Sequence, residues 1–228
     1  MVDVNQVKRL IYRSFIASIK AYQQLFLDLH IWGRKYIPAG PKIFVTNHIT
    51  ATDPYWVLPV FPKPIHVIIG PGYQSPVMRW VLDHFEQINA MPEFRNAAVD
   101  KAVEYLARGE SVYTAPEGDL QPTFSLGRFY PGVARIYRKS RAPIIPIALF
   151  APRSAMKEYP RLNLVVDGRV YRTIVVLRGP FCINIGEPFT PRIDETLDED
   201  RDNQAILDEL KERMRLLIED IRINKFWL

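Results

Sequence analysis

Ile43-Phe44-Val45-Thr46-Asn47-His48-Ile49-Thr50-Ala51-Thr52-Asp53-Pro54 reads as a short buried strand, a polar loop and the start of a helix. Ile43, Phe44 and Val45 form a continuous apolar run of strand length. Asp53 is a helix-capping residue, and Pro54 after it suits a first helical position. The same alternation recurs on the C-terminal side. Residues 65–69 read as a strand closed by Gly70-Pro71-Gly72, and residues 76–85 as a helix. Residues 97–108 form a helix stopped by Gly109, and residues 111–115 a strand ending at Pro116-Glu117-Gly118. A helix over 133–138 and an apolar strand over 144–150 follow. Three further strands are expected at 162–166, 170–176 and 181–185. The short link Arg178-Gly179-Pro180 predicts that the last two pair side by side. A helix over 199–223 closes the chain, with Leu207, Leu210, Met214, Leu217, Ile218 and Ile221 as its apolar stripe. The fold class is α/β: a mixed sheet flanked by helices, with an N-terminal amphipathic helical segment and a C-terminal helix.

Residues 2–32 contain neither proline nor glycine. Leu10, Ile11, Phe15, Ile16, Ile19, Tyr22, Leu25, Phe26 and Leu29 recur at helical spacing, interrupted by Lys8, Arg9, Arg13 and Lys20. This predicts one long amphipathic helix or two shorter ones, ending near Gly33 and Pro38, which either docks on the protein's own core or turns its basic face to an anionic membrane surface. Arg34 and Lys35 beside Trp32 suit a headgroup layer. The chain is therefore expected to comprise a helical segment over 1–36 and one larger domain over 37–228.

The composition narrows the function classes. The 228 residues include 48% apolar and 24% charged residues, which excludes a disordered or collagen-like chain. A single cysteine, Cys182, excludes an intramolecular disulfide and a cysteine-based metal cluster. No metal ligand set stands out among the four histidines. There is no apolar run long enough to span a bilayer and no secretory leader pattern, so a cytoplasmic protein attached peripherally to a membrane is expected. The net charge of +5 and pI near 9.3 suit an anionic partner. Tyr130, Tyr137, Arg135, Arg138, Lys139 and Arg141 read as a solvated helix face. No nucleic-acid module is recognisable, and no nucleic-acid partner is expected. The acidic run 194–202 reads as a solvated helix start, and Phe226-Trp227-Leu228 as a terminus docked on the protein or touching lipid.

His48 and Asp53 are five positions apart. On a continuous helix they would diverge by about 140°. In a turn between strand and helix the carboxylate can return to the imidazole, fix its tautomer and leave the second ring nitrogen as a general base. Their place at the end of a strand is where α/β proteins build sites. His66, in an apolar strand, reads as a packed residue; His30 and His84 lie on helical segments without metal partners.

These blocks resemble the glycerolipid acyltransferases of the lysophosphatidate type. Asn47-His48, four residues and Asp53 are similar to that family's first motif. Val112-Tyr113-Thr114-Ala115-Pro116-Glu117-Gly118 is similar to the first half of its third, and Ala142-Pro143-Ile144-Ile145-Pro146-Ile147-Ala148 to its fourth. Gly127-Arg128-Phe129-Tyr130-Pro131-Gly132-Val133-Ala134 resembles the link between the last two, and Ile185-Gly186-Glu187-Pro188-Phe189 a late strand. The resemblance implies an enzyme that moves a fatty acyl group from a thioester, on coenzyme A or acyl carrier protein, to the hydroxyl of a lysophospholipid or other glycerolipid-type acceptor. No cofactor beyond the donor is implied. His48 would be the base and Asp53 its orienting acid. Asn47, Glu117, Gly118, Arg95 and Arg128 are the candidate substrate-binding residues, with Glu117 able instead to order its own turn. Backbone N–H groups near Gly118 or after His48 are candidate donors to the thioester oxygen.

Two departures bear on the acceptor. The family's third motif continues Thr-Arg-Ser, whereas this chain has Asp119-Leu120-Gln121, and Arg95 is only a loose match to the arginine of the second motif. In the family those arginines are thought to hold the acceptor's phosphate. Asp119 would oppose one by roughly 3 kcal/mol at about 5 Å and an effective dielectric near 20. Lys63, Arg95 or Arg128 would have to compensate. The contrasting function is a non-catalytic lipid-binding protein on the same fold, which has no need of a positioned base.

Overall fold

The structure, a computed structural model, describes residues 4–61, 65–123, 125–194 and 196–225. The strands are β1 (Leu27–Trp32), β2 (Ile43–Thr46), β3 (Ile65–Ile69), β4 (Ile88–Asn89), β5 (Ser111–Thr114), β6 (Ile144–Phe150), β7 (Met156–Glu158), β8 (Leu164–Val166), β9 (Arg169–Tyr171), β10 (Ile174–Val176) and β11 (Gly179–Ile185). The helices are α1 (Val4–Phe26), α2 (Asp53–Val57), α3 (Pro76–His84), α4 (Arg95–Ala107), α5 (Gly132–Ser140) and α6 (Glu199–Asp220).

Seven strands form the main sheet in the order β1-β11-β6-β2-β5-β3-β4. From β6 to β4 they run parallel, and β11 is antiparallel to β6. The parallel strands are apolar because both faces are covered. Ile43, Val45, Val112 and Ile144 pack with Ala102 of α4, Ile136 of α5 and Leu210 of α6. Phe44, Tyr113, Ile145 and Ile147 point the other way, against Trp56 and Val57 of α2, Ile19 of α1 and Val176 of β10. β2 pairs with β5 in the register Ile43↔Val112, Phe44↔Tyr113 and Val45↔Thr114. Their C-terminal ends therefore leave the sheet side by side, and the loops carrying His48 and Glu117 meet.

The fold departs from the sequence expectation in four places. The N-terminal helix stops at Phe26 rather than near Gly33, and residues 27–32 form an edge strand parallel to β11. Leu27, Leu29 and Ile31 repeat every second residue as well as at helical spacing, and the choice of strand is made by a partner near the other end of the chain. Segment 1–36 thus supplies a strand of the sheet. The strand expected at 170–176 is split. Its first half, β9, makes a hairpin with β8 across Asp167-Gly168, both at positive φ, and its second half, β10, pairs with β7. It does not pair with β11, which lies between β1 and β6.

The basic face of α5 is not simply solvated. Arg138 forms an ion pair with buried Asp202, Lys139 meets Asp100 at 2.6 Å, and Arg135 donates to Asn96 at 2.9 Å. Asp202 is likewise a buried member of the acidic run, accepting the Asp194 N–H at 2.9 Å. Last, α6 ends at Asp220 and continues as a π-helical turn over Ile221–Lys225. The expectations for Lys63 and for Phe226-Trp227-Leu228 lie outside the described residues.

Gly33 follows β1 at φ +76, and a Cβ there would sit 1.9 Å from the Ile185 carbonyl oxygen. Gly33→Ala is expected to destabilise the protein by at least about 2 kcal/mol, from the left-handed backbone and the clash together. Urea unfolding monitored by circular dichroism measures this.

Candidate active site

The loop after β2 is fixed from three sides. Asn47 is buried, and both ends of its amide are used on the neighbouring strand: Nδ2 donates to the Leu149 carbonyl at 2.9 Å and Oδ1 accepts the Leu149 N–H at 2.7 Å. The next residue is gripped by the loop after β5. The His48 N–H donates to Glu117 Oε2 at 2.7 Å, and the His48 carbonyl accepts the Gln121 N–H at 2.6 Å. The loop then folds over Asp53, which is wholly buried at the start of α2. Asp53 Oδ2 accepts the N–H groups of Ile49 at 2.8 Å and Thr50 at 2.9 Å and lies 3.0 Å from His48 Nδ1, while Oδ1 accepts the Thr50 hydroxyl at 2.6 Å.

An ionised carboxylate only accepts hydrogen bonds, so the Asp53 contact places the imidazole proton on Nδ1. Nε2 then has a free lone pair, and among the described residues it has no hydrogen-bond partner. His48 lines a cavity of about 950 Å³, within the size range of small-molecule sites. Its walls are mostly apolar: Ile65 and Val67 of β3, Val81 and Leu82 of α3, Val99 of α4, and Leu164 and Val166 of β8. The charged groups on the walls are Arg95, Arg135, Arg169 and Arg172 against a single carboxylate, Asp119, among the described residues.

The remaining candidates separate into two groups. Gly118, at φ +63, and Arg95 line the cavity. Asn47, Glu117 and Arg128 do not. Asn47 is spent on β6. Glu117 is buried with both oxygens on backbone N–H groups, of His48 and, at 2.6 Å, of Gly127. Its carboxyl is raised above the usual glutamate range by burial, an effect those two N–H groups partly offset. Arg128 is exposed, its guanidinium 5.7 Å from the centre of the Tyr130 ring. Asn47 and Glu117 thus hold the loops, and Arg128 lies at the surface.

Four of the backbone donors expected for a thioester oxygen are also occupied. The Gly118 N–H goes to the Ala115 carbonyl, those of Ile49 and Thr50 to Asp53, and that of Ala51 to the Ile174 carbonyl. His66 is packed, as expected, stacked on Tyr105 with ring centroids 3.5 Å apart and paired with Glu110.

The repulsion expected from Asp119 is offset by a residue that sequence reading missed. Arg169 Nη2 lies 2.7 Å from Asp119 Oδ2. The Asp167-Gly168 dipeptide between two short apolar runs is the signal that would have placed it on a hairpin.

A buried acid holding an imidazole on the wall of an apolar cavity, at the C-terminal edge of a parallel sheet, lies where α/β proteins build their sites. The family model Acyltransferase matches residues 28–150, and the chain belongs to that family. It is 27% identical over 146 residues to a chloroplastic 1-acyl-sn-glycerol-3-phosphate acyltransferase of Arabidopsis thaliana, covering 61% of this chain and 40% of that protein. A second chloroplastic 1-acyl-sn-glycerol-3-phosphate acyltransferase, of Brassica napus, is 26% identical over 145 residues, covering 61% and 42%. The chain thus spans about two fifths of the length of these curated relatives. The crystal structure of the 1-acyl-sn-glycerophosphate acyltransferase PlsC from Thermotoga maritima shares the fold, with a TM-score of 0.67 at 20% identity, over 98% of this chain and 85% of that one.

Glu117→Ala would leave the part-buried N–H groups of His48 and Gly127 without their carboxylate partner. A stability loss of about 2 kcal/mol or more is expected, measurable by urea unfolding, together with a fall in whatever turnover depends on the position of His48.

Proposed function

We propose that the protein transfers a fatty acyl group from a thioester, on coenzyme A or acyl carrier protein, to the free hydroxyl of a monoacyl glycerophospholipid. The observation that carries this is the His48–Asp53 pair at the wall of the apolar cavity, with Nε2 unpartnered among the described residues. Nε2 takes the acceptor's hydroxyl proton as the oxygen attacks the thioester carbonyl. Asp53 holds the ring and stabilises the imidazolium that forms. The C–O bond forms, the C–S bond breaks, and the imidazolium returns its proton to the leaving sulfur. The acyl chain occupies the apolar part of the cavity. Burying a chain of about 15 methylenes is worth at most ~12 kcal/mol, which is ample for binding and orientation. The names of the curated relatives support an acceptor of the 1-acylglycerol 3-phosphate kind.

The test is release of free thiol from palmitoyl-coenzyme A, with 1-acylglycerol 3-phosphate as acceptor and mass spectrometry of the lipid product. His48→Ala is expected to lower the rate by about 10²–10⁴. A variant as active as the parent overturns the assignment of the base, and acyl-chain binding without thiol release favours the non-catalytic lipid-binding protein.

The same reading takes the donor chain and product through a bilayer surface. No helix among the described residues is long and apolar enough to cross a membrane. On α1, however, Leu10 is 65% and Leu25 75% exposed, and Ile11 and Phe15 of the same helix line the cavity. Amphipathic helices of this kind bind membranes by burying such residues at the headgroup boundary. Because β1 belongs to the sheet, the segment is tested by substitution rather than deletion. Leu10→Ser with Leu25→Ser is expected to reduce co-sedimentation with phosphatidylglycerol vesicles several-fold, and undiminished sedimentation removes α1 from this role.

A further inference from the structure

We propose that Arg169, at the end of the β8–β9 hairpin, is the residue that selects an anionic headgroup on the acceptor. The inference rests on the acyl-transfer reading above and adds to it a residue beyond the stretch that the family model matches, residues 28–150.

The position of Arg169 follows from two chains of contact. The first runs from the base. Glu117 accepts the His48 N–H and the Gln121 N–H reaches the His48 carbonyl, so the segment 117–121 is pinned to His48 at both ends. Asp119 is its middle residue, with its Cα no more than about 7.6 Å from that of either anchor. The second runs from the hairpin. The two-residue turn Asp167-Gly168 sets Val166 opposite Arg169. The guanidinium then lies on the cavity wall, 2.7 Å from Asp119 and 5.1 Å from the centre of the Tyr171 ring. A carboxylate and an aromatic face thus hold it on the wall of the cavity that His48 also lines.

Asp119 is itself satisfied. Its Oδ1 accepts the Leu120 N–H at 2.8 Å, and its Oδ2 takes one donor of the guanidinium. A guanidinium has five N–H donors in a planar fork, enough to add a phosphate oxygen to this partner. The surrounding charge favours an anion. Arg172 is matched by Glu158, but Arg95 and Arg135 on the same wall form no ion pair among the described residues. Asp119 supplies a carboxylate that draws an arginine from another part of the chain onto the cavity wall.

The experiment compares 1-acylglycerol 3-phosphate with monoacylglycerol, which has the hydroxyl but no phosphate. It uses the full chain, Arg169→Gln, Arg169→Lys and the exposed control Arg201→Gln. Arg169→Gln is expected to raise KM for the phosphate-bearing acceptor about tenfold or more. The value of kcat stays within about twofold. The kinetics with monoacylglycerol stay unchanged, Arg169→Lys recovers part of the loss, and Arg201→Gln matches the parent. An unchanged KM in Arg169→Gln, or equal losses with both acceptors, overturns the proposal. Calorimetric binding of 1-acylglycerol 3-phosphate separates this failure from that of the function itself. A parent that binds it at least about tenfold more tightly than Arg169→Gln, yet turns over neither acceptor, retains the headgroup site and rejects the acyl transfer. A parent that does not bind it, or binds it no better than the variant, rejects the site.

Discussion

A carboxylate taken wholly out of water costs several kcal/mol unless its oxygens find donors. Asp53 finds four, and all belong to residues 48–50 of the loop that precedes it. The loop cannot open without stranding the charge, and the charge cannot remain unless the loop closes. The imidazole is one of the four donors, so the ring position follows from the same balance. A strong local constraint of this kind needs a rigid base, and the sheet supplies it: β2 is fully buried between β5 and β6, and Asn47 ties the beginning of the loop to Leu149 on β6.

Residues that look chemical in the sequence divide here by the direction of their polar atoms. Asn47 and Glu117 stand in the most recognisable motifs, yet each spends its side chain on main-chain groups. Asn47 fixes where the loop starts, and Glu117 fixes the height of His48 above the sheet while also holding Gly127. Replacing backbone–water contacts by side-chain contacts gives two loops from different strands one shared geometry. The imidazole of His48 is thereby placed by side chains that bond only to the main chain.

The parallel strands were legible because both of their faces are buried: Ile43 to Val45, Ile65 to Ile69 and Ile144 to Phe150 are nearly unbroken apolar runs with no competing period. The pairing of His48 with Asp53 was legible because it is local and follows a strand. β1 was not, since Leu27, Leu29 and Ile31 satisfy two periodicities and the decision belongs to β11. Arg169 was not, since its meaning depends on a hairpin folding back over a loop fifty residues earlier in the chain. Asp119 viewed alone is an uncompensated carboxylate; beside Arg169 it becomes the group that positions a cation. A side chain's electrostatic sign in a site is set by what is brought to it, and a linear reading sees only half of such a pair.

The pairing of β1 with β11 joins residues some 150 positions apart. As the chain leaves the ribosome, the strand partner at 179–185 follows residues 27–32 only after some 150 further residues have been made. At about 5–20 residues per second, that interval lasts roughly 8–30 seconds. Through it the N-terminal helix lacks its finished platform, with its apolar side open to a chaperone or a lipid surface. Closure of the sheet edge is thus a late event of biogenesis, and its timing sets how long the nascent N-terminus is free to engage something other than its own fold.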